Sequence, residues 1–148
     1  MSRVKVNLPA SFQFSANYTV RVSDLNYGNH LGNDRLLSIL HQARIDFISH
    51  LCNGSELDFF GVSLIMADVV INYQNEAFLN DLLTIDMALA NPTKAGFDLY
   101  YKVSCENKNI AAAKAGMVCF DYNERKIVTI PDKLLAIIPD NNACVSIK

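Results

Sequence analysis

The stretch Val20–Leu51, VRVSDLNYGNHLGNDRLLSILHQARIDFISHL, decides how the whole chain is read. It starts at the end of an alternating segment: Phe12, Phe14, Tyr18, Val20 and Val22 share one parity, and Asn17, Thr19 and Arg21 the other. That period predicts a strand over residues 12–22. A polar loop, Ser23–Gly32, follows. Asn33 then reads as an N-cap, and Asp34 suits the first turn, where its charge faces the positive end of a helix dipole. From Leu36 the apolar residues recur at 36, 37, 39, 40, 43, 45, 47, 48 and 51. They cover most of a helix circumference, so the helix is expected to be wrapped by other structure, ending in a left-handed stop at Asn53-Gly54.

Working outward, residues 1–10 read as a loose arm or edge segment ending at Pro9. Strands are predicted over 62–73, 82–89, 97–104 and 110–122. Turn residues separate them: Gln74-Asn75-Glu76 with Asn80-Asp81, then Asn91 to Gly96, then Glu106 to Asn109, with Asn123 to Lys126 closing the last. Pro131 opens a short helix through Ile138, Pro139 stops it, and a tail completes residues 131–148. One strand, one long helix and four strands joined by short links favour antiparallel neighbours. The expectation is one α+β domain over 1–148, a curved antiparallel sheet wrapped around a single long central helix.

Composition narrows the function classes. The chain has 148 residues, a net charge of −2, 51% hydrophobic residues and 19% charged ones. No Lys/Arg cluster offers a face to nucleic acid or an anionic membrane. The greasy balance suits a homodimer or homotetramer that hides apolar surface between copies. Cys52, Cys105, Cys119 and Cys144 are scattered without metal-ligand spacing and read as free thiols, so no metal or cofactor is expected. No apolar run is long enough to span a membrane and the N-terminus has no signal-peptide core, which points to the cytoplasm.

The loop carries the candidate chemistry. If the strand ran on through Ser23–Asn26, Asp24 and Asn26 would share a face. His30 supplies an imidazole, the side chain that exchanges protons near neutral pH. The N–H groups at the start of the helix, near Asn33 and Asp34, lack intrahelical partners and could hold a developing oxyanion. The same residue types also make an ordinary capped strand-to-helix turn. Asp68 stands out in an apolar strand, either paired at a strand irregularity or lining a site.

The run from Arg21 to Asn33, continuing to Ala43-Arg44, resembles the signature of the hotdog-fold acyl-CoA thioesterases, the group with 4-hydroxybenzoyl-CoA thioesterase and the plant acyl-ACP thioesterases. Their pattern is approximately Asp-x-Asp-x-x-x-His-x-Asn-Asn followed by a helix bearing Ala-Arg. Val70-Ile71-Asn72-Tyr73 and Asn80-Asp81-Leu82-Leu83 extend the resemblance. It implies a hotdog fold and hydrolysis of an acyl thioester, on CoA or an acyl-carrier protein. Asp24 matches the first Asp, His30 the His, and Asn33 the second Asn, whose N–H would polarise the thioester carbonyl. Asn26 falls where the family has its working carboxylate, and an amide cannot usefully take a proton. The catalytic set expected here is therefore Asp24, Asn26, His30 and Asn33, with Asp24 as the local base. Asp34, Asp68 or Glu76 could instead enter the site, across a dimer interface. The alternatives are a non-catalytic acyl-thioester binding module and a structural or interaction protein.

Overall fold

The computed structural model describes residues 3–139 and the backbone of residues 144–145. In chain order it contains β1 (Leu8–Pro9), β2 (Phe14–Thr19), a 3-10 turn (Val22–Asp24), α1 (Asn33–Cys52), β3 (Ser63–Tyr73), β4 (Leu82–Ala90), β5 (Gly96–Cys105), β6 (Lys108–Asp121), β7 (Lys126–Ile127), α2 (Asp132–Ile137) and β8 (Cys144–Val145). The main sheet has the order β2-β4-β5-β6-β3, with every neighbour antiparallel, and β7 folds back on the end of β6. This is the curled sheet around one long helix that the hotdog resemblance implies.

Alternation decides which side chains meet α1. Leu83, Ile85, Met87 and Leu89 of β4 join Phe97, Leu99, Tyr101 and Val103 of β5 in one core cluster. Ala111, Ala113, Ala115 and Met117 of β6 belong to it too, as do Leu36, Leu40, Ala43 and Phe47 of the helix. Small residues on β6 leave room for the large ones of α1. Burial of a side chain such as Phe47 stabilises the fold by roughly 1.5–3 kcal/mol.

The helix is less enclosed than its apolar pattern predicts. Leu36, Ile39, Leu40, Ala43, Arg44, Phe47 and Ile48 are buried on one stripe. Leu37 and Ile45, on the other side, are 37% and 38% exposed. Its ends are Gly32 as N-cap, one residue earlier than expected, and Asn53 in the left-handed conformation at φ 55°. A Cβ at position 32 would lie 2.8 Å from the Asp34 carboxylate, so glycine fits the cap and Asn33 becomes the first helical residue.

The arm is docked rather than loose. Val6 and Leu8 pack on the outer sheet face with Ala88, Ala90, Tyr100 and Ala112. The Asn72 amide holds it at both ends: the Val6 N–H donates to Oδ1 at 2.7 Å, and Nδ2 donates to the Val4 carbonyl at 2.8 Å. β1 pairs with β8.

Asp68 marks a β-bulge. The β3–β6 register slips between Met66 and Asp68, and the Asp68 Oδ1 accepts the Gly116 N–H at 3.0 Å. A Cβ on Gly116 would come within 2.5 Å of that oxygen, so the glycine makes the bond possible. Asp68 is exposed at the sheet edge, which settles it as paired at a strand irregularity. Cys52, Cys105 and Cys119 are free thiols; the Cys144 side chain lies outside the described residues. No helix among the described residues is long and apolar enough to cross a membrane.

Candidate active site

Between β2 and α1 the strand does not run on. Val22–Asp24 forms a 3-10 turn in which the Asp24 N–H donates to the Arg21 carbonyl at 2.9 Å and the Asp24 carboxylate accepts the Arg21 N–H at 2.9 Å. The turn breaks the alternation, so Asp24 and Asn26 do not share a face as continued strand geometry would require. Asp24 is 2% exposed. Its Oδ2 also accepts the Tyr18 hydroxyl at 2.9 Å, and its Oδ1 lies 3.5 Å from the Arg35 Nε. Burial and the bond to Asp24 together push the Tyr18 phenol above its ordinary range. The Asp24 carbonyl accepts the Gly32 N–H at 2.9 Å. One residue thus ties β2, the loop and the helix start together.

The loop from Asn26 to His30 closes on itself. The Asn26 N–H donates to the His30 carbonyl at 2.9 Å and the Asn29 N–H to the Asn26 carbonyl at 3.0 Å. The Asn26 Oδ1 accepts the Gly28 N–H at 2.9 Å. Asn29 sits at φ 62°, a left-handed position that asparagine tolerates better than most residues. Asn26 is therefore a turn-former, with its amide oxygen engaged by the backbone.

Beyond the loop, the Leu31 N–H donates to the Ala77 carbonyl at 2.8 Å and brings the β3–β4 connection alongside. That connection is held from below. The Gln74 N–H donates to the Ile110 carbonyl at 2.9 Å, the Asn75 Nδ2 to the Asn109 carbonyl at 2.6 Å, and the Lys108 Nζ to the Glu76 carbonyl at 2.7 Å. The Tyr73 hydroxyl donates to the Asn33 carbonyl at 2.8 Å and so joins the end of β3 to the first helical residue. Burial first, and then the Asp34 charge, push that phenol up.

These pieces enclose a cavity of about 350 Å³. Asn26, His30, Gly32 and Asn33 form one wall, Tyr73, Gln74, Asn75 and Glu76 the other, and Leu31, Leu36, Ala77 and Ile110 the apolar floor. Of the residues singled out from sequence, Asn26, His30 and Asn33 line it; Asp24 lies behind the wall. Glu76 reaches the cavity from its own chain, without a partner copy, whereas Asp68 does not line it.

The His30 Nδ1 is 3.3 Å from the Leu31 carbonyl, and its Nε2 is 3.7 Å from the Glu76 Oε1. A carbonyl can only accept, so the Leu31 contact is made by a hydrogen on Nδ1, and Nε2 is the ring nitrogen that faces the Glu76 carboxylate. At the helix start, the Leu36 N–H makes the first intrahelical bond, to the Gly32 carbonyl at 3.1 Å. The N–H groups of Asn33, Asp34 and Arg35 precede it and have no intrahelical acceptor. The site combines backbone donors, an imidazole and a carboxylate around a small apolar floor. Among the described residues no three His, Cys, Asp or Glu side chains gather as a metal site would require.

Known proteins share this architecture. The crystal structure of a 1,4-dihydroxy-2-naphthoyl-CoA thioesterase from Synechocystis superposes with a TM-score of 0.75 at 19% identity, over 88% of this chain and 98% of that one. A probable thioesterase from Escherichia coli superposes with a TM-score of 0.73 at 26% identity, over 84% and 95% of the two chains. The fold is thus that of the hotdog thioesterases. The family model of the Thioesterase-like superfamily matches residues 20–138, and the chain belongs to that superfamily, whose class is thioester hydrolase. In sequence it is also 26% identical to the long-chain acyl-CoA thioesterase FadM of Escherichia coli K12 over 117 residues, covering 78% of this chain and 89% of the relative.

Proposed function

We propose that the chain hydrolyses acyl-CoA thioesters, with Glu76 and His30 as its proton-handling pair and the start of α1 as its oxyanion site. The observation that carries this reading is the approach of His30 and Glu76 across a cavity that Asn33 also lines, in a chain of the thioesterase superfamily.

In this reading the thioester carbonyl points at the Asn33 N–H. A donor so placed is worth roughly 3–4 kcal/mol as the oxygen becomes an oxyanion. Water attacks the carbonyl carbon while Glu76 takes its proton. The C–S bond then breaks, and the proton passes by way of the His30 Nε2 to the leaving thiolate, giving free acid and thiol. Asn26 shapes the turn that aims His30, and Asp24 holds the turn to β2 and α1. Glu76 thereby fills the gap left by the amide at position 26. Its side chain is largely exposed, but its backbone is pinned by Lys108 and by the neighbouring Ala77 carbonyl.

The working unit we propose is a homodimer in the cytoplasm. Among the described residues β3 pairs with one strand only, β6, and Leu37 and Ile45 of α1 leave apolar surface exposed. The docked arm covers the outer sheet face, which argues against a homotetramer built through that face. Acyl-carrier protein is the competing thiol carrier, and a parallel assay with it decides between the two.

The test is thiol release from short, long and aromatic acyl-CoAs. Glu76→Gln should lower kcat by roughly 10²–10⁴-fold, the range of general acid–base catalysis, with KM little changed. No turnover above buffer on any of them would leave a non-catalytic acyl-thioester binding module as the better reading.

A further inference from the structure

We propose that the Tyr73 hydroxyl sets the width of the active-site cavity, and with it the spacing between the oxyanion donor at Asn33 and the carboxylate of Glu76; this rests on the thioesterase reading above. Tyr73 is then a positioning residue, acting through Asn33 and not on the reacting atoms.

The two walls of the cavity are separate pieces of backbone, each braced on its own. The wall of Asn26, His30, Gly32 and Asn33 closes on itself through the Asn26 N–H, which donates to the His30 carbonyl at 2.9 Å. It is anchored from behind by the Gly32 N–H, which donates to the Asp24 carbonyl at 2.9 Å. The wall of Tyr73, Gln74, Asn75 and Glu76 is braced on the start of β6 instead. There the Gln74 N–H donates to the Ile110 carbonyl at 2.9 Å and the Lys108 Nζ to the Glu76 carbonyl at 2.7 Å. None of these bonds crosses from one wall to the other.

Among the described residues two hydrogen bonds do cross. At one end the Leu31 N–H donates to the Ala77 carbonyl at 2.8 Å, and at the other the Tyr73 hydroxyl donates to the Asn33 carbonyl at 2.8 Å. Glu76 lies between them, three residues after Tyr73 and next to Ala77. Two points of attachment fix the gap, whereas one alone is a hinge about which the walls splay. The first link is backbone to backbone; the second hangs on a single side-chain oxygen. The Asn33 carbonyl can only accept, so the phenol must keep its proton. Burial, and then the Asp34 charge, push that phenol up and away from ionisation at neutral pH. Both links lie within one chain, whatever packs on the open edge of β3.

The gap matters because the groups across it are barely in reach of each other. The His30 Nε2 and the Glu76 Oε1 are 3.7 Å apart, beyond ordinary hydrogen-bond distance. A misplacement of about 1 Å costs roughly 10²-fold in rate when reacting groups must align. A hydrogen bond from a half-exposed phenol adds little to global stability, so its consequence is local.

The experiment compares the purified 148-residue chain with Tyr73→Phe, which keeps the ring on the cavity wall and removes only the oxygen. Thiol release is read from whichever of butanoyl-, octanoyl- and benzoyl-CoA the unmutated chain turns over fastest, at a temperature where both proteins are folded by circular dichroism. The kcat should fall at least fivefold, with KM changed less than twofold. In crystal structures of the two proteins, the distance from the Asn33 N to the Glu76 Cα should be longer in Tyr73→Phe by about 1 Å. A smaller fall in kcat overturns the proposal, and so does a fall carried by KM. A fall in kcat with the wall-to-wall distance unchanged overturns it as well. A Tyr73→Phe chain that does not fold also counts against it, since the bond would then hold the fold and not the width of the cavity. If none of the three substrates turns over, the thioesterase reading falls, and the crystallographic distance decides the Tyr73 proposal alone: a wider gap sustains it and an unchanged one refutes it.

Discussion

Replacing Asp24 by Asn separates a structural carboxylate from a catalytic one. Two donors at 2.9 Å, the Arg21 N–H and the Tyr18 hydroxyl, converge on Oδ2 in a residue 2% exposed. Hydrogen bonds to a charged group contribute about 1.5–3 kcal/mol each. Asparagine keeps one acceptor oxygen but can turn an NH₂ towards a donor, so one bond is lost and the other weakened. That predicts a loss of about 2–4 kcal/mol. The Arg35 pair adds little, because the Arg35 side chain is 44% exposed and solvent screens it. In a domain of this size each kcal/mol moves Tm by roughly 2–4 °C, so a fall of about 4–16 °C is expected. Urea unfolding gives the free energy, and steady-state thiol release at a temperature where the variant stays folded gives kcat. Turnover should stay within about tenfold of the unmutated chain, since Asp24 lies behind the cavity wall. A stable Asp24→Asn protein, within about 0.5 kcal/mol, whose kcat falls by three orders of magnitude would refute the reasoning and make Asp24 the base.

Two further perturbations test the packing. Burial pushes the Cys119 thiol up to about 11 from 9.0, so the folded chain holds this proton more tightly than the unfolded one. Stability from this group is therefore unaffected well below pH 9 and falls as pH rises from about 9 towards 11, by roughly 2–3 kcal/mol when complete. Between pH 8 and 10.5 the unmutated chain should lose about 2 kcal/mol more than Cys119→Ala by urea unfolding, and parallel curves would refute it. Gly116→Ala should cost about 1–3 kcal/mol by forcing the Asp68 carboxylate off the residue 116 N–H. In a double-mutant cycle with Asp68→Ala the costs should fall short of their sum by at least about 0.5 kcal/mol, and additivity within experimental error would sink the steric explanation.

The helix and the strands were legible because their burial is periodic. Four of the five strands of the main sheet after and around α1 begin and end within two residues of the turn chemistry that brackets them, as at Leu82–Ala90 and Gly96–Cys105. What periodicity could not show was a local side-chain cap. Asp24 bends the chain by reaching back to the Arg21 N–H, the geometry of a capping box, but arginine at the cap position carries none of the usual Ser/Thr signature. Alternation therefore appeared to continue through a turn. The apolar residues around α1 were likewise visible, yet their number does not say which of them the sheet covers, and Leu37 and Ile45 stay exposed. The arm looked loose because what orders it is far away in sequence: the Asn72 amide, sixty-six positions from Val6, and the outer sheet face of Ala88, Ala90, Tyr100 and Ala112 on which Val6 and Leu8 pack.

The site was half legible for the same reason. His30, Asn26 and Asn33 are close in sequence, so the loop's own spacing placed them on one wall. Glu76 sat in a polar separator that reads as turn chemistry. Long-range bonds such as the one from the Leu31 N–H to the Ala77 carbonyl carry it to His30, and no local pattern encodes a pairing across 46 residues. The geometry nevertheless explains why an amide is acceptable at position 26. A carboxylate there would accept the Gly28 N–H just as well, so the turn does not select between Asp and Asn. The chemistry does: a charge at position 26 would lie on the same cavity wall as His30 and face Glu76 across it. Two carboxylates around one imidazole would repel each other, and each would compete for the same proton. In the proposed mechanism, where Glu76 is the base, the neutral Asn26 leaves a single carboxylate opposite His30, which is the arrangement an acid–base pair needs.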